Sequence, residues 1–337
     1  MTPLGLGTAP IGNLYQAISD RDATSTVDAA WAAGVRYFDT APHYGLGLAE
    51  RRLGQALRGR PRHEYVLSTK VGRVLVDNPA GAGQRDDGFD VPATLRRVWD
   101  FTADGVRRSL AGSLARLGLD RVEIVLIHDP EESPDPRAAL DQAYPALHEL
   151  RAQGVVDAIG VGSKQRQVLT RFVTETDIDV VLLAGRYTLL EQPALDDLLP
   201  ACQRWGVSVL NAGVFNSGLL AVDSPDASAR YEYSPVPAPL LQRARRIAAL
   251  CRRYGATLPQ AALAFAAAHP VVASVLVGAA TPEQMAHDAQ LLACPAPPAD
   301  LWRELVAQRL LRPDAPVPGG HDGHPGPGVP SRGAHGD

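Results

Sequence analysis

A carboxylate, a phenol, an ammonium and an imidazole stand in three short segments. Asp39 and Tyr44 lie in Asp39-Thr-Ala-Pro-His43-Tyr44-Gly45, Lys70 in Leu67-Ser-Thr-Lys70-Val-Gly72, and His128 in Leu126-Ile-His128-Asp129-Pro130. Together they can move a proton at a carbonyl or an alcohol. A phenol titrates near 10, so alone it is a poor base at neutral pH. A neighbouring ammonium lowers that value, and a buried carboxylate keeps the ammonium charged and in place. The imidazole can hydrogen-bond a substrate oxygen and orient it. The set lacks a two-electron partner, which must come from a cofactor. The lysine carries extra weight, because only two of the 33 basic residues are lysines, Lys70 and Lys164. Arginine bias is ordinarily genomic, but a retained lysine marks a place where a compact ammonium of movable pKa is needed. Singly, Asp39 reads as a turn residue, Tyr44 as a wall residue and His128 as a satisfied strand-end histidine. Jointly, at the right strand ends, they read as a site.

The elements that must position them follow one rhythm. Apolar, β-branched runs occur at Leu4–Thr8, Val35–Phe38, Tyr65–Thr69, Val122–Ile127, Val155–Val161, Asp179–Leu183, Val207–Leu210 and Ala273–Val277. Such runs suit parallel strands buried on both faces. Amphipathic helices fall between them: Val106, Leu110, Leu114 and Leu117 before Gly118; Leu140, Tyr144, Leu147 and Leu150 before Gly154; Leu195, Leu198, Leu199 and Cys202 before Gly206; Leu240, Ala244, Ile247 and Cys251 before Gly255. Eight strands, each followed by a helix, predict an α/β chain folded as one (β/α)8 TIM barrel over residues 1–312. Its chemistry belongs at the C-terminal strand ends, where the residues above converge. Two long loops, 71–101 and 212–237, open on that face. Residues 313–337 are rich in Pro, Gly and His and are expected to be a disordered tail, with no role assigned. His321, His324 and His335 in it are weak metal scavengers at most.

Composition excludes other classes. The 337 residues are 45% hydrophobic and carry a net charge of −4 with no basic cluster, so neither nucleic acid nor an anionic membrane is an expected partner. No apolar run reaches transmembrane length, and the N-terminus lacks a signal-peptide pattern. Cys202, Cys251 and Cys294 form neither a disulfide framework nor a zinc pattern. A reduced, cytoplasmic setting and no metal are expected. The helical exterior shows no stripe that specifies an oligomer.

The segments Phe38–Gly45, Leu67–Gly72 and Leu126–His128, with Leu117-Gly-Leu-Asp120 between them, resemble the aldo-keto reductase superfamily over residues 4 to about 308. Thr40-Ala-Pro-His-Tyr-Gly-Leu-Gly-Leu48, Leu183–Leu190 and Ala212–Leu220 are most similar to its sugar-oxidising branch: D-threo-aldose 1-dehydrogenase, L-fucose dehydrogenase and pyridoxal 4-dehydrogenase. The resemblance implies that Tyr44 carries the proton, Lys70 lowers its pKa, Asp39 pairs with Lys70 and His128 orients the carbonyl. It implies an enzyme, an NAD(P)-dependent oxidoreductase that oxidises an aldose such as L-fucose or D-arabinose at C1 to a lactone. The alternatives are a pyridoxal 4-dehydrogenase or a general aldehyde or ketone reductase and, remotely, a non-catalytic nicotinamide-binding redox sensor.

The same resemblance implies a cofactor lying extended across the barrel mouth, without a Rossmann motif. Contacts are expected from Thr8 and Ala9 after the first strand, and from Gly213, Phe215, Asn216, Ser217, Gly218 and Leu219 after the seventh. Gly278, Ala279, Thr281, Gln284 and Asp288 are expected to serve after the eighth. The family's Ser-Asn and Gln contacts to the nicotinamide amide read Gly162-Ser163 and Ala184 here, so a rebuilt pocket of Ser163, Arg186 and Phe215 is expected. His43 reads equally as a pocket wall or as packing. Arg73 is a substrate candidate in the third loop, where a solvated position is the commoner reading. Residues 271–286 contain no cation to clamp a 2′-phosphate, so NAD is expected ahead of NADP.

Overall fold

The computed structural model describes residues 1–232 and 234–319. The strands are β1 (Leu4–Gly7), β2 (Tyr37–Asp39), β3 (Val66–Val71), β4 (Arg73–Asp77), β5 (Leu95–Trp99), β6 (Ile124–His128), β7 (Ala158–Ser163), β8 (Val180–Ala184), β9 (Ser208–Ala212), β10 (Arg230–Tyr231), β11 (Ser234–Pro235) and β12 (Val272–Gly278). Eight of them close a parallel barrel in the order β1-β12-β9-β8-β7-β6-β3-β2. These are the eight runs read from the sequence. Their apolar residues serve two layers. Tyr37, Leu126, Leu182, Leu210 and Leu276 fill the barrel interior, and their strand neighbours Phe38, Val125, Val181, Val209 and Val275 pack outward against the helices. Burial on both faces is why the runs do not alternate with polar residues.

The helical layer consists of α1 (Asp20–Ala32), α2 (Leu48–Leu57), α3 (Ala103–Leu117), α4 (Tyr144–Ala152), α5 (Arg166–Glu175), α6 (Leu198–Trp205), α7 (Ala238–Arg253), α8 (Leu258–Ala266), α9 (Pro282–Ala293) and α10 (Ala299–Ala307). Several of them start with a side-chain cap: Ser19 accepts from Asp22 N–H, Thr102 from Gly105 N–H, and Thr257 forms a capping box with Gln260. Gly118 and Gly206 end α3 and α6 in left-handed backbone. The helix expected from Leu195 begins instead at Leu198, because Leu195 sits in the short turn Pro193–Asp196.

Two parts of the sequence reading change. The loop 71–101 contains an antiparallel hairpin, β4 against β5, running from Arg73 opposite Trp99 to Asp77 opposite Leu95. Phe89 and Val91 from its connection form a small apolar cluster with Leu46, and Tyr44 packs on it. At the C-terminus Ala315 is buried and Val317 packs on the core, so residues 313–319 belong with the barrel rather than with a tail. The rest of the expected tail, 320–337, lies outside the described residues. No helix among the described residues is long and apolar enough to cross a membrane, and they hold no cluster of metal-ligating side chains.

Gly54 in α2 lies against the end of α3, where an added Cβ would meet the Leu117 carbonyl oxygen at 2.0 Å. Helix propensity alone would make Gly54→Ala stabilising by about 0.8–1.0 kcal/mol. The clash outweighs that gain, and the variant should unfold with about 1–3 kcal/mol less stability in a denaturant titration. A more stable variant would mean that α2 and α3 are not in this contact.

Candidate active site

Period-two alternation puts Tyr37 and Asp39 of β2 and Ser68 and Lys70 of β3 on the inner face of the barrel. The register sets Asp39 beside Ser68, and Ser68 Oγ donates to Asp39 Oδ1 at 2.7 Å. Tyr37 and Ser68 share a further hydrogen bond of 2.9 Å. One residue on, Thr69 faces the helix layer, where its hydroxyl donates to the fully buried Glu50, itself paired with Arg116. Lys70 is 1% exposed. Its Nζ donates to Asp39 Oδ2 at 2.7 Å, to the Thr40 carbonyl at 2.9 Å and to Tyr44 OH at 3.1 Å. An ammonium has three donors, and all three are engaged.

Tyr44 reaches Lys70 because the chain turns tightly after it. Gly45, Leu46 and Gly47 all have positive φ. At Gly45 a Cβ would come within 2.2 Å of the Gly12 carbonyl oxygen, so only glycine lets the turn press against the loop after β1. The His128 ring stands edge-on to Tyr44, with centroids 5.7 Å apart. His43 lies between His128 at 5.5 Å and Phe89 at 5.4 Å. The four expected catalytic residues are therefore in one place, with His43 as a wall of the same space.

The electrostatics add a larger effect to the expected lowering by Lys70. Burial pushes the Tyr44 phenol up to about 12, against the lowering effect of Lys70, so Tyr44 is a neutral donor rather than a ready phenolate. Burial also works against the Lys70 charge, but Asp39 and Tyr44 outweigh it and raise its pKa. Burial, with Arg73 next in effect, holds His43 down to about 2 and His128 well below its ordinary value. Both imidazoles are thus neutral, and His128 can donate a hydrogen bond without itself being an acid.

Arg73 is not in a solvated loop. It starts β4, is 7% exposed, lies over Trp99 at 4.5 Å and donates to Asp129 and Glu132 at 2.8 Å each. Asp129 stands beside this cluster, and the sequence reading gave it no role. The signal available was its position directly after His128.

The expected cofactor residues follow β1, β7, β8, β9 and β12, which are neighbouring strands of the barrel. Thr8 is fully buried with an unpartnered Oγ1, and Ala9 opens the short turn after β1. After β9, Gly213 and the consecutive Asn216, Ser217 and Gly218 have left-handed backbone, and Phe215 packs half-buried beside them. Asn216 is buried with an unpartnered Oδ1. Left-handed backbone of this kind can turn N–H groups toward a phosphate, while Thr8 Oγ1 and Asn216 Oδ1 can pair with the hydroxyl and amide groups of a dinucleotide. Leu219 points into the core, so only its backbone is available there. Gly278 pairs with Gly7, Ala279 is buried, and Thr281 caps α9.

Four of the expected contact residues are engaged or buried within the protein. The hydroxyl of Ser163 binds Glu131 and accepts from Gln165 N–H, and Arg186 pairs with Glu232, so both are engaged within the protein. Gln284 Oε1 accepts from Ala280 N–H. Asp288 is buried in α9, where burial lifts its carboxyl to about 7. A groove of about 590 Å³ separates the 16–25 segment from the start of α9, and it brings Arg21 and Asp22 opposite Thr281 and Glu283. No local sequence pattern pairs Arg21 with this stretch.

Replacing Tyr44 by Phe removes only the hydroxyl, and turnover should fall by about 10²–10⁴-fold with cofactor affinity retained. Lys70→Arg should be comparably impaired, because a planar guanidinium cannot make the three convergent bonds of Nζ. Near-normal kcat in either purified variant would remove that residue from the proton path.

The chain matches known proteins along its length. The pattern of the Aldo/keto reductase family covers residues 3–303. D-threo-aldose 1-dehydrogenase from a Pseudomonas species is 50% identical over 311 residues, spanning 91% of this chain and 94% of that protein. Pyridoxal 4-dehydrogenase from Microbacterium luteolum is 36% identical, spanning 92% and 95%. Among solved structures, the holo form of an aldo-keto reductase from Bacillus halodurans superposes with a TM-score of 0.71 at 25% identity, covering 95% of this chain and 94% of that one. With a barrel of this order and this set of groups at its mouth, the chain belongs to the aldo/keto reductase family.

Proposed function

We propose that the chain is an aldose 1-dehydrogenase, oxidising a sugar of L-fucose or D-arabinose type at C1 to the lactone with NAD as the preferred acceptor. The observation that carries this reading is the contact of buried, Asp39-paired Lys70 with Tyr44 OH, in a chain half identical to a D-threo-aldose 1-dehydrogenase. When bound, an oxidised nicotinamide supplies the acceptor for the C1 hydrogen and its two electrons. The proton is handled by the chain. His128 donates to the sugar's O1 and holds it toward Tyr44, and Tyr44, once deprotonated, takes the O1 proton as the C1=O bond forms. Thr8, Asn216 and the backbone of 213–218 would hold the cofactor, with Thr281, Gln284 and Asp288 at its adenosine end. The aldose reading is tested by assaying sugars, pyridoxal and simple aldehydes side by side. Turnover of pyridoxal or simple aldehydes without sugar oxidation would overturn it.

NAD preference rests on charge. Arg21 is the cation facing the start of α9, and it shares its groove with Asp22 and Glu283. A 2′-phosphate of about two negative charges would meet a net negative surface, whereas a ribose hydroxyl meets acceptors. The expected kcat/KM for NAD⁺ exceeds that for NADP⁺ by at least about tenfold, the loss of one charge-assisted hydrogen bond. Equal values would refute the preference, and a fall in NADP⁺ use on Arg21→Ala would identify the cation responsible.

Tyr44 also sets a pH dependence. With its pKa raised, the base form needed for oxidation is scarce at neutral pH and grows with each pH unit. Oxidation kcat/KM should therefore climb from pH 7 to about pH 10, while reduction, which uses the neutral phenol, should not. An oxidation optimum near neutrality with a decline above it would contradict this.

A further inference from the structure

One carboxylate at the barrel mouth has no part in this proton path. Asp129 follows His128 in left-handed backbone, φ 41°, a conformation that Asp tolerates better than most residues. The turn folds its side chain back, so that Oδ2 lies 3.3 Å from His128 Nε2. Asp129 stands at the N-cap position of the short turn Pro130–Glu132, yet its side chain makes no capping bond there. It is held instead by Arg73, whose Nη2 donates to Asp129 Oδ2 and Glu132 Oε2. Of the two ion-pair partners, the Arg73 side chain is 8% exposed and that of Asp129 is 21% exposed. The carboxylate is therefore the member of the pair that meets the mouth. Two nine-tenths-buried neighbours keep unpartnered polar atoms, Arg73 Nε and His128 Nδ1, so the cluster is not a closed structural network. Burial lifts the Asp129 carboxyl to about 6, against the pull of Arg73, which leaves it ionised at neutral pH and able only to accept.

We infer that Asp129 is a specificity-determining residue that accepts the hydrogen of a hydroxyl on the carbon next to the reacting one. Nε2 of His128 donates to the reacting oxygen. The oxygens of a vicinal pair are spaced much as Nε2 and Asp129 Oδ2 are, so an α-hydroxy carbonyl compound, or the matching diol, spans donor and acceptor together. The local charge points the same way. Asp129, Glu131 and Glu132 outnumber Arg73, which favours neutral hydroxyl donors over carboxylated or phosphorylated substrates. This inference deepens the oxidoreductase reading above by naming a feature of the substrate beyond C1.

The test compares lactaldehyde with propanal, which differ in the α-hydroxyl alone, as substrates for reduction by the whole protein with reduced nicotinamide. Lactaldehyde should lead in kcat/KM by about 10–100-fold in the wild type, the effect of one hydrogen bond to a charged group. Asp129→Ala should collapse the ratio toward unity, chiefly through the lactaldehyde value, and Asp129→Asn, which keeps shape and one acceptor oxygen, should retain part of it. A wild-type ratio near unity would overturn the inference whatever the variants do, as would an undiminished ratio in folded Asp129→Ala or Asp129→Asn. Should no aldose be oxidised while the lactaldehyde preference stands, the sugar reading fails and the role of Asp129 survives.

Discussion

A charge held out of water organises the barrel mouth. Lys70 is buried among strands, and an unpaired ammonium there would be destabilised by several kcal/mol. Asp39 compensates it, and the demands of Asp39 then propagate: its second oxygen takes the Ser68 hydroxyl, which in turn meets Tyr37. This polar chain crosses two adjacent strands and holds only if β2 and β3 keep their register. It has one free end, the third donor of Lys70, and that end fixes the Tyr44 hydroxyl. Removing either partner of the pair would leave a buried charge, a loss of about 3–5 kcal/mol, so the geometry of the proton path and the stability of the barrel are one requirement.

The division of labour follows from position in the fold. The groups proposed to handle the proton sit on or directly after strands, which packing holds rigid. The loops bring further groups over them: Phe89 from the connection between β4 and β5, Arg73 from the start of β4, and Asp129 from the turn after β6. Burial keeps both histidines neutral, and the nearby cations reinforce it.

The barrel was legible because doubly buried parallel strands must be apolar on both faces, and eight such runs are plain in the sequence. The four groups were legible because each falls at a strand end. The hairpin was not, since its two strands are separated by a connection rich in Gly, Asp and Pro that reads as open loop. Helix α8 shows no amphipathic period because it is apolar nearly all round, and α10 follows a Pro-rich stretch that reads as a chain end. Asp129 was hidden by its own neighbour: before proline, an aspartate reads as a turn former, and only the left-handed backbone shows its carboxylate turned back toward His128. Arg21 faces the start of α9 only because β12 closes the barrel against β1, a contact between chain ends that no local pattern carries.

The balance at Tyr44 between burial and the Lys70 charge is the centre of this account, and a difference titration measures it directly. The ultraviolet phenolate signal of the wild-type protein is followed against pH beside that of Tyr44→Phe, both without cofactor. The expected result is no signal assignable to Tyr44 through the neutral and mildly alkaline range, with its ionisation pushed to about 12. A Tyr44 phenolate already present at neutral pH would mean that Lys70 prevails over burial, and the neutral-donor assignment would be wrong.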